Sequence, residues 1–377
     1  MQITAYLFNV TVTALILGGQ AYLYYRARPH LGKVGRALFA ALQLGAVAIA
    51  WVNGEGWSWG PVTPLTRGIS FAAAIWISGS AGAALILLAA QRLGRRRPFS
   101  PERRKLLSGA AGAVALAPFR LAGYVTLLVR RGFDLREATF AVPGLPPDLE
   151  GLRLTLLSDI HLGPYLSLPE LDRVIAMANE TRPHVALVTG DLITRHGDPL
   201  ESCLSRLSTL RAEAGVFGCL GNHEVYANCQ DFTEARGREL GMDFLRLRRR
   251  LLRFGAARLN LAGVDYQRQR RPYLAGAGRL LEPGAVNLLM SHNPDVFPKA
   301  ADLGYDLVVG GHTHGGQVTV EILEQTMNVV RFFTPYVAGI YRLRAASLYV
   351  SRGIGTINLP MRLGARPEVS LLRLRRA

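Results

Sequence analysis

Five apolar runs in the second half of this chain each end in a short polar island, and that repetition narrows the possible folds sharply. Runs 152–157, 185–188, 216–220, 286–290 and 307–309 lead into Asp159-Ile160-His161, Gly190-Asp191, Gly221-Asn222-His223-Glu224, Ser291-His292 and Gly311-His312-Thr313-His314. Short apolar runs closed by turn residues read as buried strands. Between them, 168–180 has helical spacing, with Leu168, Leu171, Ile175 and Ala178 on one side, and 199–212 also reads as a helix. The repeated order of strand, polar tip and helix predicts an α/β domain, in which ligands gather at the carboxyl ends of strands. Segments 318–321, 347–350 and 369–374 read as further strands with no helices between them, which predicts a second sheet and a layered sandwich.

The islands are rich in metal ligands. Carboxylate, amide oxygen and imidazole suit Mn, Fe or Zn, and they leave room for water and phosphate oxygens. Asp159 and His161 are two apart, as are His312 and His314, so in extended segments each pair points one way. Glycine precedes Asp191, Asn222 and His312, which permits sharp turns or close backbone approach. Singly, each island is ordinary: an Asp-x-His is common, a Gly-Asp is usually a turn, and a lone His292 is more often structural. Together they hold five of the chain's eight histidines, which singles out a metal centre. None contains cysteine, which argues against a structural zinc site. Cys203, Cys219 and Cys229 are an odd count and define no disulfide framework. His30, His184 and His196 lie outside the islands and are expected to have surface roles.

Charge divides the chain. Residues 1–131 hold 15 Lys/Arg and 2 Asp/Glu, whereas 132–377 hold 29 and 25. The net charge of +17 therefore sits mostly between apolar stretches and is no footprint for nucleic acid. Runs 4–25, 37–52 and 68–91 are long enough to cross a bilayer, and Trp51 and Trp57 stand near an interface. A fourth candidate, 106–129, is interrupted by Pro118 and Arg120. These features predict a transmembrane helical region over 1–131, with three or four helices, ahead of a soluble domain over 132–377. Loops 26–36 and 92–105 are basic while 53–66 is not, so the basic loops are expected on the cytoplasmic side.

In order and content the islands resemble the five motifs of the calcineurin-like metallophosphoesterases, over most of 135–377. The resemblance extends to Leu157-Ser158-Asp159-Ile160-His161-Leu162-Gly163 and to Gly311-His312-Thr313-His314-Gly315-Gly316-Gln317. The tail Tyr349-Val350-Ser351-Arg352-Gly353-Ile354-Gly355, with Leu359-Pro360 and Arg362, is similar to the family's membrane-associated bacterial branch. The resemblance implies a four-layer αββα sandwich and a dinuclear site. By motif, one ion takes Asp159, His161 and His314, the other takes Asn222, His292 and His312, and Asp191 bridges them. His223 is implied as the non-ligand residue that contacts the phosphoryl group and protonates the leaving oxygen, with Glu224 supporting the ligands. No ligand position is missing.

The function so implied is a membrane-anchored phosphohydrolase using two divalent ions on a phosphoester or phosphodiester, with a lipid-linked substrate favoured by the bilayer nearby. Arg103-Arg104-Lys105-Leu106-Leu107 resembles a twin-arginine export signal, which favours an extracytoplasmic domain on a bacterial cytoplasmic membrane. Should 106–129 not span, the domain is cytoplasmic, and cleavage of a nucleotide-linked lipid pyrophosphate becomes the alternative. A membrane-tethered binding module that keeps the fold without catalysis is the alternative of a different class, and the complete ligand set argues against it. The arginines at 246, 248, 249, 250 and 253, then 268, 270 and 271, distinguish the stretch before His292. They read either as a solvated face or as a patch for anionic headgroups.

Overall fold

The computed structural model describes residues 2–54, 63–94, 114, 116–267, 274–322 and 325–377. Trp57, the paired arginines at 103–104, most of 106–115 and Arg268, Arg270 and Arg271 lie outside the described residues. The chain divides into two units, one of residues 1–129 with 358–361, the other of 130–357 with 362–377.

The first unit is helical. Its helices are α1 (Gln2–Ala27), α2 (Lys33–Gly54), α3 (Pro64–Gly94) and α4 (residues 116–127). Small residues let them approach: Ala46 of α2 packs on Ala73 and Ile77 of α3. Gln20 of α1 donates to the Ser80 hydroxyl of α3, and Gln43 of α2 donates to the Gln20 carbonyl at 3.0 Å. Among the described residues, one helical stretch, Pro64–Arg92, is long and apolar enough to cross a membrane.

The second unit is built on two six-stranded sheets. The first contains β1 (Asp134–Val142), β2 (Arg153–Leu157), β3 (Val185–Thr189), β4 (Val216–Cys219) and β5 (Met242–Phe244). The second contains β6 (Arg248–Phe254), β7 (Ala257–Gly263), β8 (Val286–Met290) and β9 (Leu307–Gly310). After the separate hairpin β10 (Thr319–Ile322) and β11 (Gln325–Asn328), it gains β12 (Gly339–Leu343) and β13 (Ala346–Val350). The last strand, β14 (Glu368–Arg376), returns to the first sheet, parallel to β1 and antiparallel to β2. The strand orders are β1-β14-β2-β3-β4-β5 and β12-β13-β9-β8-β7-β6.

Alternation along the strands makes the layers. Leu154, Leu156, Leu187 and Phe217 of the first sheet share a core with Leu259, Leu261, Leu288 and Val309 of the second. Their neighbours Leu157, Ala186 and Val188 face outward, onto α5 (Leu168–Glu180) and α6 (Leu200–Leu207). After α7 (Asn222–Tyr226) and α8 (Gln230–Glu239), α9 (Phe297–Leu303) covers the outer face of the second sheet with Phe297 and Ala300. The result is helix, sheet, sheet, helix. α5 starts where it does because Glu170 reaches back to accept from the Ser167 amide at 2.8 Å and its hydroxyl at 2.7 Å. Its buried Leu171, Val174, Ile175 and Ala178 form one apolar stripe.

Two expectations change here. Segment 318–321 belongs to its own hairpin, and 369–374 belongs to the first sheet, so only 347–350 of the three joins the second sheet. The arginine-rich stretch is a β-hairpin edge whose guanidinium groups meet carboxylates: Arg246 with Asp231 and Asp265, Arg248 and Arg250 with Asp243, Arg249 with Glu282. These pairs weaken the headgroup-patch reading.

Leu288 is fully buried between the sheets. Leu288→Ala is expected to cost about 2–5 kcal/mol of stability, read as a lower denaturation midpoint of the second unit.

Candidate metal centre

All five islands follow the carboxyl ends of strands: β2 precedes Asp159, β3 precedes Asp191, β4 precedes Asn222, β8 precedes His292 and β9 precedes His312. The backbone then departs from the extended reading. Asp159 (φ 50°), His161 (φ 48°), Asp191 (φ 54°), His312 (φ 72°) and His314 (φ 52°) are all left-handed. The pairs two apart therefore converge through sharp turns rather than along a pleat. Left-handed residues other than glycine are uncommon and cost energy, and they concentrate at functional sites.

The turns bring the side chains together. Asp159, His161 and His314 form one group whose ligand atoms lie within 4.8 Å of one another, and Asp191, His292 and His312 form another. Asp191 faces both: its Oδ2 is 3.5 Å from His161 Nε2 and 3.0 Å from His292 Nε2. His223 Nε2 is 4.0 Å from the same oxygen. His314 Nε2 is 3.5 Å from Asp159 Oδ1, and His312 Nδ1 is 3.2 Å from His292 Nε2. Asn222 is buried at the start of α7, beside His223.

Neighbouring groups aim these side chains. His292 Nδ1–H donates to the Thr189 carbonyl at 2.7 Å, which turns Nε2 toward Asp191. His223 Nδ1–H donates to the Thr194 carbonyl, and His161 Nδ1 meets Thr194 Oγ1 at 3.2 Å. Asp159 accepts from Ser158 Oγ at 2.6 Å and from the His312 amide at 2.9 Å. Glu224 is fully buried and accepts from the Asp191, Leu192 and Gly221 amides at 2.9, 2.7 and 2.8 Å, tying two islands together. Arg362, also fully buried, donates to the His314 and Arg352 carbonyls at 2.8 and 2.7 Å. Two glycines are required by crowding: a Cβ on Gly311 would overlap the Asp159 carboxylate, and one on Gly221 would overlap Asp191.

The contributions of Thr189 and Thr194 carry no motif signal, because each acts through a backbone carbonyl. Of the histidines outside the islands, His30 and His196 are exposed, while His184 is half-buried and accepts from the Arg153 amide at 2.9 Å.

Burial sets the protonation. It pushes the pKa of His161 and of His312 down to about 3, and that of His314 well below the usual imidazole value, so these rings are neutral, the form that a metal ion requires. Burial raises Asp159 to about 6, with Asp191 adding repulsion and His292 opposing. Burial would also raise Asp191, but His292, His223 and His161 outweigh it and hold the carboxyl well below its ordinary range. For His292, burial is overcome by Asp191 and Asp159, and the pKa rises to about 10.

The donor set fits divalent cations. His161 Nε2 and Asn222 Oδ1 are buried with no hydrogen-bond partner, and both belong to the expected ligand set. Unpaired buried polar atoms are rare and call for an ion or water. The three neutral imidazoles and the clustered buried carboxylates fit the same explanation.

Residues 152–316 match the family model described as calcineurin-like phosphoesterase. That stretch, which holds all five islands, is similar to calcineurin-like phosphoesterases. A transmembrane protein with metallophosphoesterase domain from Bos taurus is 31% identical over 252 residues, covering 62% of this chain and 55% of the relative. The phosphodiesterase YaeI of Escherichia coli is 28% identical over 288 residues, covering 72% of this chain and 98% of the relative. The uncharacterized metallophosphoesterase YkuE of Bacillus subtilis is 27% identical, covering 72% and 97%. The chain thus spans a little over half of the bovine relative and nearly all of the two bacterial ones.

At pH 8 His292 is protonated in the metal-free protein, and ligation requires its neutral form. Metal binding at pH 8 is therefore expected to release about one proton, and affinity is expected to rise with pH up to about 10. Calorimetric Mn²⁺ titrations in buffers of different ionisation heat measure this release, and His292→Ala is expected to abolish it.

Proposed function

We propose that this protein is a membrane-anchored phosphohydrolase whose second unit, within 132–377, holds two divalent ions and cleaves a phosphoester or phosphodiester. One ion would be held by Asp159, His161 and His314, the other by Asn222, His292 and His312, with Asp191 shared. The observation that carries this reading is the position of Asp191 Oδ2, within 3.5 Å of His161 and 3.0 Å of His292, one from each group. When bound, such a pair of ions polarises phosphoryl oxygens and makes a water nucleophilic near neutral pH.

The protein's own groups would do the rest. His223 keeps its Nδ1 proton on the Thr194 carbonyl, so in the imidazolium form Nε2 is the nitrogen that delivers a proton to the leaving oxygen. Glu224 holds the Asp191 and Leu192 amides, fixing the shared carboxylate without itself facing the two groups. The backbone amide of His223 donates to Asp191 Oδ1 at 3.0 Å, which leaves Oδ2 for the centre.

Membrane anchoring is supported by the apolar stretch Pro64–Arg92 and by leucines left exposed on the helical unit, such as Leu15 at 70% and Leu44 at 68%. A helix apolar all round is at home in protein or lipid, not in water. We read 1–131 as three or four membrane-crossing helices and favour an extracytoplasmic domain. A tethered enzyme meets lipid-linked phosphoesters at high local concentration, which makes them the favoured substrate class.

Asp191→Asn removes the shared carboxylate charge and is expected to lower turnover of a chromogenic phosphodiester by at least about 10³-fold, with the helical unit still folded. Chelator treatment of the wild type should do the same, with recovery on adding Mn²⁺. Retained turnover in either case would refute the dinuclear reading. Reporter fusions at residue 135 are expected to be active only outside the cytoplasm. Activity only inside would favour a nucleotide-linked lipid pyrophosphate as the substrate.

A further inference from the structure

The loop that follows Asp191 is held by a carboxylate to which neither the ligand set nor the proton donor assigns a task. Asp198 is almost fully buried, with a side-chain exposure of 3%. Its Oδ2 accepts from the Thr194 amide at 3.0 Å and from the Arg195 amide at 3.1 Å, and its Oδ1 lies 3.8 Å from Arg195 Nε. Gly163 lies against the same carboxylate, where a Cβ would come within 3.0–3.1 Å of it. Thr194 is thus pinned by Asp198 on both sides, through its own N–H and through the Arg195 N–H of the peptide that carries its carbonyl. Its carbonyl in turn receives the His223 Nδ1 proton, and its hydroxyl meets His161.

We propose that Asp198 is a positioning residue for proton delivery: by fixing Thr194 it sets the orientation of His223, and with it the direction in which Nε2 faces the leaving oxygen. The proposal rests on the reading of His223 as the proton donor. In that step a water oxygen bonds to phosphorus and gives a proton to solvent, the bond from phosphorus to the leaving oxygen breaks with its electron pair staying on that oxygen, and the Nε2 proton of the imidazolium moves to it. An imidazole free to turn about its Cβ–Cγ bond would offer Nε2 in the wrong direction for part of the time. The backbone carbonyl of Thr194 prevents this only while the peptide itself is held. Asp198 holds it from the side opposite His223, so the loop cannot rotate the carbonyl away without breaking two hydrogen bonds to one buried carboxylate.

A distinction follows between two kinds of substrate. An ester losing p-nitrophenolate needs little help from a proton, whereas one losing an unactivated alcohol depends on it. The test uses full-length protein in detergent micelles, loaded with Mn²⁺, with bound metal counted for each variant. Two methyl phosphodiesters are compared, one with each leaving group. His223→Asn is expected to lower the ratio of kcat for the alcohol ester to kcat for the p-nitrophenyl ester by on the order of 10²-fold. Asp198→Ala is expected to lower the same ratio roughly tenfold with KM little changed, since misplacing a reacting group costs up to about 10²-fold. Asp198→Asn, which keeps an oxygen acceptor, is expected to restore the ratio to within about threefold of wild type.

A uniform loss on both esters, or an unchanged ratio in Asp198→Ala, overturns the positioning role. Should that variant fail to retain metal, Asp198→Glu is read by the same ratio, because it keeps the charge but moves it by one methylene. An unchanged ratio there also overturns the proposal. If His223→Asn itself leaves the ratio unchanged, the failure lies in the assignment of His223 and is recognisable as such.

Discussion

Strand ends can share a metal centre only if the chain turns aside within a residue or two of leaving the sheet. Five of the seven expected ligands sit at those turns in left-handed conformation, where a Cβ crowds its own backbone. Each such residue costs on the order of 1 kcal/mol, and the surroundings must hold it there. They do so through contacts that tolerate no added atom: Gly221 against Asp191 and Gly311 against Asp159. The two sheets supply the rigid frame. The shared core between them fixes where β2, β3 and β4 end relative to β8 and β9.

Electrostatics presses on the same small volume. Asp159, Asp191 and Glu224 are buried close together, where bulk solvent shields them little. Without a cation the cluster settles by moving protons: His292 takes one, Asp159 becomes harder to ionise, and three rings stay neutral. Glu224 avoids a charged partner by taking three backbone amides. A bound cation lowers the cost of the clustered carboxylates, so ligand binding and stability of the fold are linked.

The sequence made the site legible because metal chemistry needs particular side chains, and those stand out against apolar runs. It made the layered fold legible for the same reason, since each buried strand has to end before its polar tip. Other features lacked such a mark. The hairpin of β6 and β7 was hidden because arginines alternate irregularly with leucines on an edge strand, where the exposed face is spent on Asp243 and Glu282. The turns at Asp159 and His161 leave no mark in the sequence, because spacing alone cannot tell a pleat from two left-handed residues. The return of β14 to the first sheet depends on a pairing across more than two hundred residues, which no local pattern encodes.

That pairing has a consequence for how the molecule is made. β14 fills the gap between β1 and β2, with Asp134 aligned to Glu368. Until residues 368–376 have left the ribosome, β2 presents an open flank and β1 has no neighbour. Contacts of such long sequence separation form slowly, and synthesis proceeds at about 5–20 residues per second. The nascent chain therefore spends roughly ten seconds or more with its helical unit already made and its first sheet unable to close.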